Sequence, residues 1–363
     1  MSFHELYHAP ITSLVTVGGS ENKLPAKAAA DLVSIFILDD TAAPSMFTLE
    51  LNNWDGANKS LPWSDDQETF FPGQKISISL GYVGQQTAVS IIEGEITSLE
   101  PVFSTQPSTM VVRGYDLRHR LLRGRQTESF VKMNDCAIAE QIANKAKIDI
   151  QVDKKANSSG VKHEYVLQHN QTDFAFLQDR ARRIGFELLI DKKTLQFRPR
   201  SIKAKKSMTL KLGRDLIEFT PRLTTLSQVS EVTVQGWDVK KKKPIVGTAS
   251  MGKELSKMGG KTAGPKATNG AFGKSTLSIV KSPVTTQAEA DEMALGQYNE
   301  MALNYISGDG VCYGRPDLKA GTVVSIEGVG KMYSGFYYIT AVKHIWNKTH
   351  GYRLRFSYKR NAT

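Results

Sequence analysis

Residues 76–80, Ile-Ser-Ile-Ser-Leu, alternate apolar and small polar side chains, the period of a half-buried strand. FFPGQ before them and GYVGQQ after them are turn chemistry. The stretch TAVSIIEGEITSLEPVF then predicts one long strand or two, with Gly94 at a bulge or bend, and STMVVRGYD continues the same face. With DLVSIFIL (31–38) and FTLEL (47–51), these segments predict an antiparallel meander of five or six strands. Such a sheet closes into a barrel or stacks as a sandwich, because open edges invite aggregation.

The same layout returns near the other end of the chain. EITSLEPVF (95–103) is echoed by YITAVKHIW (338–346): Ile96 matches Ile339, Thr97 matches Thr340, Leu99 matches Val342 and Val102-Phe103 matches Ile345-Trp346, each pair 243 positions apart. AGTVVSIEG (320–328) resembles PGQKISISLG (72–81), with Gly321 on Gly73 and Val324-Ser325-Ile326 on Ile76-Ser77-Ile78. YRLRFSYKR (352–360) takes the place of TMVVRGYDL, with Tyr358 set against Tyr115. Three elements repeated in one order predict two related tube-like antiparallel β-barrels in one chain. In the last segment Tyr352, Leu354, Phe356 and Tyr358 are expected to point inward, leaving Arg353, Arg355, Ser357 and Lys359 on the opposite face.

Helical periodicity interrupts the β pattern. MNDCAIAEQIANKAKI (133–148) has Asn134 placed as an N-cap and Ala139, Ile142, Ala143 and Ala146 on one stripe. TDFAFLQDRARRIG has Thr172 as a cap, a stripe of Phe174, Leu177, Ala181 and Ile184, and Gly185 just past its end, before the hairpin FELLI-DKK-TLQFR. A capping box, Thr286-x-x-Glu289, opens a third helix. Residues 250–275, rich in Gly, Lys, Ser and Thr, show no period and are expected to form a long mobile loop. The class is α+β, dominated by β. Residues 1–116 form the first barrel, 117–205 an inserted α+β segment, 206–249 and 310–363 the second barrel, and 250–309 the loop and third helix.

Composition narrows the function. A chain of 363 residues with 40% hydrophobic and 23% charged content suits folded domains. No apolar run approaches the roughly 18 residues of a membrane span, and MSFHELYHAPITSLV lacks the basic and apolar parts of a secretory leader. Two cysteines, Cys136 and Cys312, cannot make a disulfide framework, which points to synthesis in a reducing compartment. The net charge of +11 invites a polyanion. The densest basic run, Lys240–Lys243 before Pro244, reads as a solvated turn between strands.

Candidate chemistry is sparse. The seven histidines make no metal-binding spacing; His4 and His8 are four apart without a third ligand. Cys136 sits on a small-residue helix and reads as buried packing. TNGAFGKST (268–276) has Thr268 where a phosphate-binding loop needs glycine, and no strand leads into it. Asp39-Asp40 and Asp65-Asp66 read as solvated turn carboxylates. No catalytic residue, cofactor or metal is expected, and the chain reads as a non-enzyme.

FPGQKISISLGY, IIEGEITSLEP and VVRGYDLRHRLLRGRQTESF, followed by YVLQHNQTDFAFLQDRARRIGFELLIDKKTLQFRP (165–199) and the tail from Gln287 to Arg360, resemble the phage late control protein D and VgrG family of baseplate hubs. The resemblance runs over almost the whole chain in order. It implies a homotrimer that joins a hexameric inner tube to a trimeric spike among other baseplate proteins, assembled in the bacterial cytoplasm as part of a phage tail or an extracellular contractile injection particle. It also implies a channel that holds a tape-measure protein or cargo. VgrG proteins usually continue into a needle; this sequence ends at SYKRNAT, so a separately encoded spike is expected. Arg353, Arg355 and Lys359 are expected to face a partner or the channel, with no membrane span and no specific nucleic acid. The alternative is a basic β-barrel module that binds nucleic acid with salt-sensitive affinity.

Overall fold

The alternation at 76–80 becomes the centre of one of six strands in a first unit. They are β1 (Ile11–Val17), β2 (Leu32–Asp40), β3 (Met46–Asn52), β4 (Lys75–Tyr82), β5 (Val89–Val102) and β6 (Thr109–Asp116). Side by side they run β1-β4-β5-β6-β3-β2, each neighbour antiparallel. Inward positions such as Ile37, Phe47, Leu49, Ile78 and Val112 are fully buried, each contributing roughly 1.5–3 kcal/mol by leaving water. The computed structural model describes residues 11–18, 23–82, 88–105, 107–203, 205–239, 241–280 and 284–363. The end of the expected turn after β4, His4, His8 and Lys240 lie outside them.

After this unit comes the inserted segment: β7 (Gln126–Met133), the helix Asp135–Lys145, β8 (Asp149–Val152), β9 (His163–Gln171), the helix Asp173–Arg183, β10 (Phe186–Asp191) and β11 (Thr194–Pro199). Both helices start at the expected caps. Asn134 accepts from the Ala137 N–H and Thr172 from the Ala175 N–H, and Gly185 takes φ +71° beyond the second. Phe130, Ile138, Ile142, Leu177 and Phe197 form a core of their own.

The second unit contains β12 (Met208–Lys211) and β13 (Leu216–Leu223). Three strands that follow, β14 (Glu231–Asp238), β15 (Lys243–Ser250) and β16 (Thr276–Ile279), are a separate sheet. The unit resumes with β17 (Ile306–Tyr313), β18 (Val323–Glu327), β19 (Gly335–Asn347) and β20 (Gly351–Arg360). Its order is β12-β18-β19-β20-β17-β13, strand for strand that of the first unit. One contact differs: β12 runs parallel to β18. Pairing of β2 with β19 fuses both units into one twelve-stranded sheet.

Backbone pairing explains the sequence echo. In β5 the register against β6 shifts between Ile96 and Ser98; in β19 the register against β20 shifts between Ile339 and Ala341. Thr97 and Thr340 are therefore the extra residues of equivalent β-bulges. The Gly73 N–H donates to the Ile96 carbonyl and the Gly321 N–H to the Ile339 carbonyl, both glycines at positive φ, +90° and +76°. Ile76 and Val324 lie opposite Gly94 and Tyr337, a matched pair of positions. Gly94 itself marks a close approach: a Cβ there would lie 2.1 Å from the Tyr115 carbonyl oxygen.

Three expectations are corrected. Tyr358 is not the counterpart of Tyr115: Tyr115 lies opposite Glu95 while Tyr358 lies opposite Ile339, one step further along. That single step puts Tyr358 in the core and leaves Tyr115 half-buried on the other face. Residues 231–249 do not belong to the second barrel; Val232, Val234, Ile245 and Ala249 pack instead on Ala290, Met293, Ala294 and Tyr298 of the helix Gln287–Leu303. Gly247 permits that contact, since a Cβ would meet the Ala290 carbonyl carbon at 2.2 Å. Finally, residues 250–275 contain a helix, Gly264–Phe272, and lead directly into β16. The stretch is held by the chain end: the N–H groups of Lys261 and Thr262 donate to Thr363 and that of Gly264 to Asn361. Its buried residues, Met258, Ala263, Gly264, Pro265 and Thr268, are too few and too unevenly spaced to show a period.

The expected third helix starts at Thr286, which accepts from the Glu289 N–H, while Glu289 reaches back to the Thr285 N–H. Glu289 also joins a buried ionic cluster. Arg180 Nε is 2.5 Å from Asp135, Arg183 is 3.0 Å from Glu289, and His163 lies 3.5 Å from each carboxylate. The cluster ties the inserted segment to the helix Gln287–Leu303.

Candidate functional site

β20 lies between β19 and β17, so its two faces are fixed by both neighbours. Tyr352, Leu354, Phe356 and Tyr358 are buried, as the alternation requires. Arg353 and Arg355 are exposed on the opposite face. Arg355 pairs in register with Lys343 of β19, and Arg353 with Ile345. Lys343 thus completes a basic patch with Arg353 and Arg355. Lys359 is drawn out of it, its Nζ 3.5 Å from Glu300. The alternation in YITAVKHIW already put Lys343 opposite the core-facing Val342 and His344; only the register shows that it meets Arg355. Like charges directly opposite one another destabilise a sheet unless a partner or solvent compensates.

The patch belongs to a larger surface. The strands β5-β6-β3-β2-β19-β20-β17-β13 form an unbroken antiparallel row of eight across both units. Away from the cores this row mixes ionic groups with half-buried apolar ones, Leu38 lying opposite Lys343, Phe36 opposite Ile345, Val111 opposite Glu50 and Val311 opposite Arg355. Arg113 pairs with Glu100 at 3.0 Å, Ser34 donates to Glu50 at 2.9 Å, and Ser357 donates to Asp309 at 2.6 Å. It is a wall with charges of both signs among apolar side chains, its basic set concentrated on β19 and β20.

The thiols and carboxylates nearest to chemistry have structural roles. Burial pushes the thiols of Cys136 and Cys312 up to about 12. Among the described residues no cluster of His, Cys, Asp and Glu could hold a metal ion, and no helix is long and apolar enough to cross a membrane. TNGAFGKST runs from a helix into a strand, the reverse of a phosphate-binding loop. Asp66 caps its own turn through the N–H groups of Thr69 and Phe70. Asp39, expected in a solvated turn, instead lies within β2 and accepts from the Ala320 N–H at 2.8 Å and Ser45 at 3.0 Å. Burial raises its pKa against these hydrogen bonds and the nearby Arg118.

The family model described as Alg8 N-terminal domain matches residues 9–347. No curated protein sequence matches the chain. The 43 kDa tail protein of prophage MuSo2 from Shewanella oneidensis is a structural neighbour with a TM-score of 0.68 at 15% identity, over 96% of this chain and 98% of that one. A tail protein from Neisseria meningitidis MC58 has a TM-score of 0.68 at 14% identity, over 96% of both chains. A component of the type VI secretion system of E. coli has 0.56 at 12% identity, over 96% of this chain and 77% of that one. At these identities the likeness establishes the fold. The chain belongs to the Alg8 N-terminal domain family.

Proposed function

We propose that this member of the Alg8 N-terminal domain family is a structural baseplate hub, a homotrimer that joins a hexameric inner tube to a trimeric spike. The observation that carries the reading is the duplication: two six-stranded units of one order, with bulges at Thr97 and Thr340, fused by β2 and β19. Three such chains bring six near-equivalent units to one ring, so a threefold object offers a quasi-sixfold face. The tail-protein fold over 96% of the chain supports this reading. The basic set Lys343, Arg353 and Arg355 would face the channel or a partner, where an acidic tape-measure segment or cargo could meet it. The chain has a scaffolding role, not a catalytic one, in a phage tail or an extracellular contractile injection particle assembled in the bacterial cytoplasm.

Deletion of the gene tests the role. Tubes should form without an attached spike, and the full chain supplied from a plasmid should restore the junction. Normal spiked particles in the deletion strain would contradict it.

A further inference from the structure

We infer that a second copy of this chain docks its β13 edge, Glu218–Thr225, on the β5 edge, Thr97–Phe103, and that this seam copies the β2·β19 junction already made within each chain. The inference rests on the proposed ring and adds which edges close it.

In the second unit, the half of β19 beyond its bulge lies against β2, from Ala341 opposite Asp40 to Asn347 opposite Ser34. The Thr41 N–H donates to the Thr340 carbonyl, and the Lys348 N–H to that of Val33. In the first unit, pairing with β4 ends at Glu95, and beyond Thr97 the strand β5 has only β6 beside it among the described residues. Val102 and Phe103 are 52% and 64% exposed, whereas their counterparts Ile345 and Trp346 are half-buried beside β2. The repeated aliphatic–aromatic pair therefore has its cover in one unit and lacks it in the other.

β13 corresponds to β2. Both are the last strand of their unit, and both shift register at one equivalent point, between Leu32 and Ser34 and between Leu216 and Glu218. The extra residues, Val33 and Ile217, are similarly exposed at 37% and 43%. Each chain thus has one finished junction and, at the two ends of its eight-stranded row, the two unused halves of another. A heterologous contact of this kind closes into a ring when its rotation allows.

Transferring the β2·β19 register to β13 and β5 sets Leu99 opposite Leu223, Glu100 opposite Arg222, Val102 opposite Thr220 and Phe103 opposite Phe219. None of these side chains was used to fix the register, yet leucine meets leucine, phenylalanine meets phenylalanine and the one charged pair has opposite signs. Arg222 is exposed and makes no ion pair among the described residues. Pro101 falls opposite Pro221. The Thr41 and Lys348 bonds make Val342·Asp39, His344·Ile37 and Trp346·Ile35 the pairs that exchange both hydrogen bonds. Pro101·Pro221 is the counterpart of the middle one: neither residue can donate there and the ring carbons take the place of the hydrogens, so the seam must open at that rung and bond through the rungs on either side. On a free edge the same prolines discourage pairing with other strands.

Val102 and Thr220 form a non-hydrogen-bonded pair in this register, with Cα atoms about 4.5 Å apart, within disulfide reach. Both are exposed, and the native Cys136 and Cys312 are buried. The full chain carrying Val102→Cys and Thr220→Cys, expressed with the neighbouring genes of its locus and oxidised after lysis, should give reducible crosslinked species that end at three chains. Either single variant, or the mismatched pair Val102→Cys with Arg222→Cys, should stay uncrosslinked. Absence of crosslinks in the double variant, or equal crosslinking in the mismatched one, overturns the seam even if particles contain three copies. A crosslinked series that closes at another number keeps the seam and overturns the trimer.

Discussion

His163 and His344 are both buried, and they respond to pH with opposite signs. Burial opposes charge on His163, and Arg180 adds to that, but hydrogen bonds to Asp135 and Glu289 outweigh both and raise its pKa. A raised folded pKa means that this contribution is fully present below the unfolded value of about 6.5 and is lost as pH rises through the folded value. His163→Gln should therefore remove part of the stability loss seen on the alkaline side of about 6.5, checked by urea denaturation at a series of pH values. His344 is held neutral by burial, its pKa lowered to about 3, with Tyr352 Oη 2.6 Å from its Nδ1. Its contribution is present above about 6.5 and is lost as pH falls, so His344→Phe should lessen acid sensitivity in the same experiment. Nothing in the spacing of the histidines shows these roles. The partners of His163 come from two helices more than a hundred residues apart in sequence, Asp135 before it and Glu289 after it.

At the scale of elements, the repeated Ile-Thr pair was legible because a bulge needs an extra residue at a fixed place in each copy. Deleting Thr340 would slip Ala341–Asn347 by one position and turn the buried Val342 and His344 outward. The expected result is loss of cooperative thermal unfolding, whereas Thr340→Ala should cost only about 1 kcal/mol. Helix caps at Asn134, Thr172 and Thr286 were legible for a similar reason, since each is a local hydrogen bond written in adjacent residues. The Tyr115–Tyr358 match misled because identity at a constant spacing does not report register. Residues 250–275 were misread because what holds them is distant: Asn361 and Thr363 accept their N–H groups, and Ala263 bridges Ala362.

For the whole molecule, the net charge of +11 says little until it is placed. Of the three basic residues singled out on β20, Lys359 is tied to Glu300, while Arg353 and Arg355 stand beside Lys343. Changing Arg353 and Arg355 together to Gln should leave denaturation within about 0.5 kcal/mol of the parent while reducing particle assembly or cargo loading. Unchanged assembly and loading at physiological salt would mean that solvent alone meets this face. Acidic residues on the same wall, Glu50, Glu100 and Asp309, distinguish it from a continuous track for a phosphate backbone. On the proposed function, duplication inside one chain lets a threefold assembly present a sixfold face. Electron cryo-microscopy of the assembled particle, averaged at this level without imposed symmetry, measures it most directly. Three copies in a ring of six barrel-like lobes around one channel are expected; six copies related by true sixfold symmetry would contradict the hub reading.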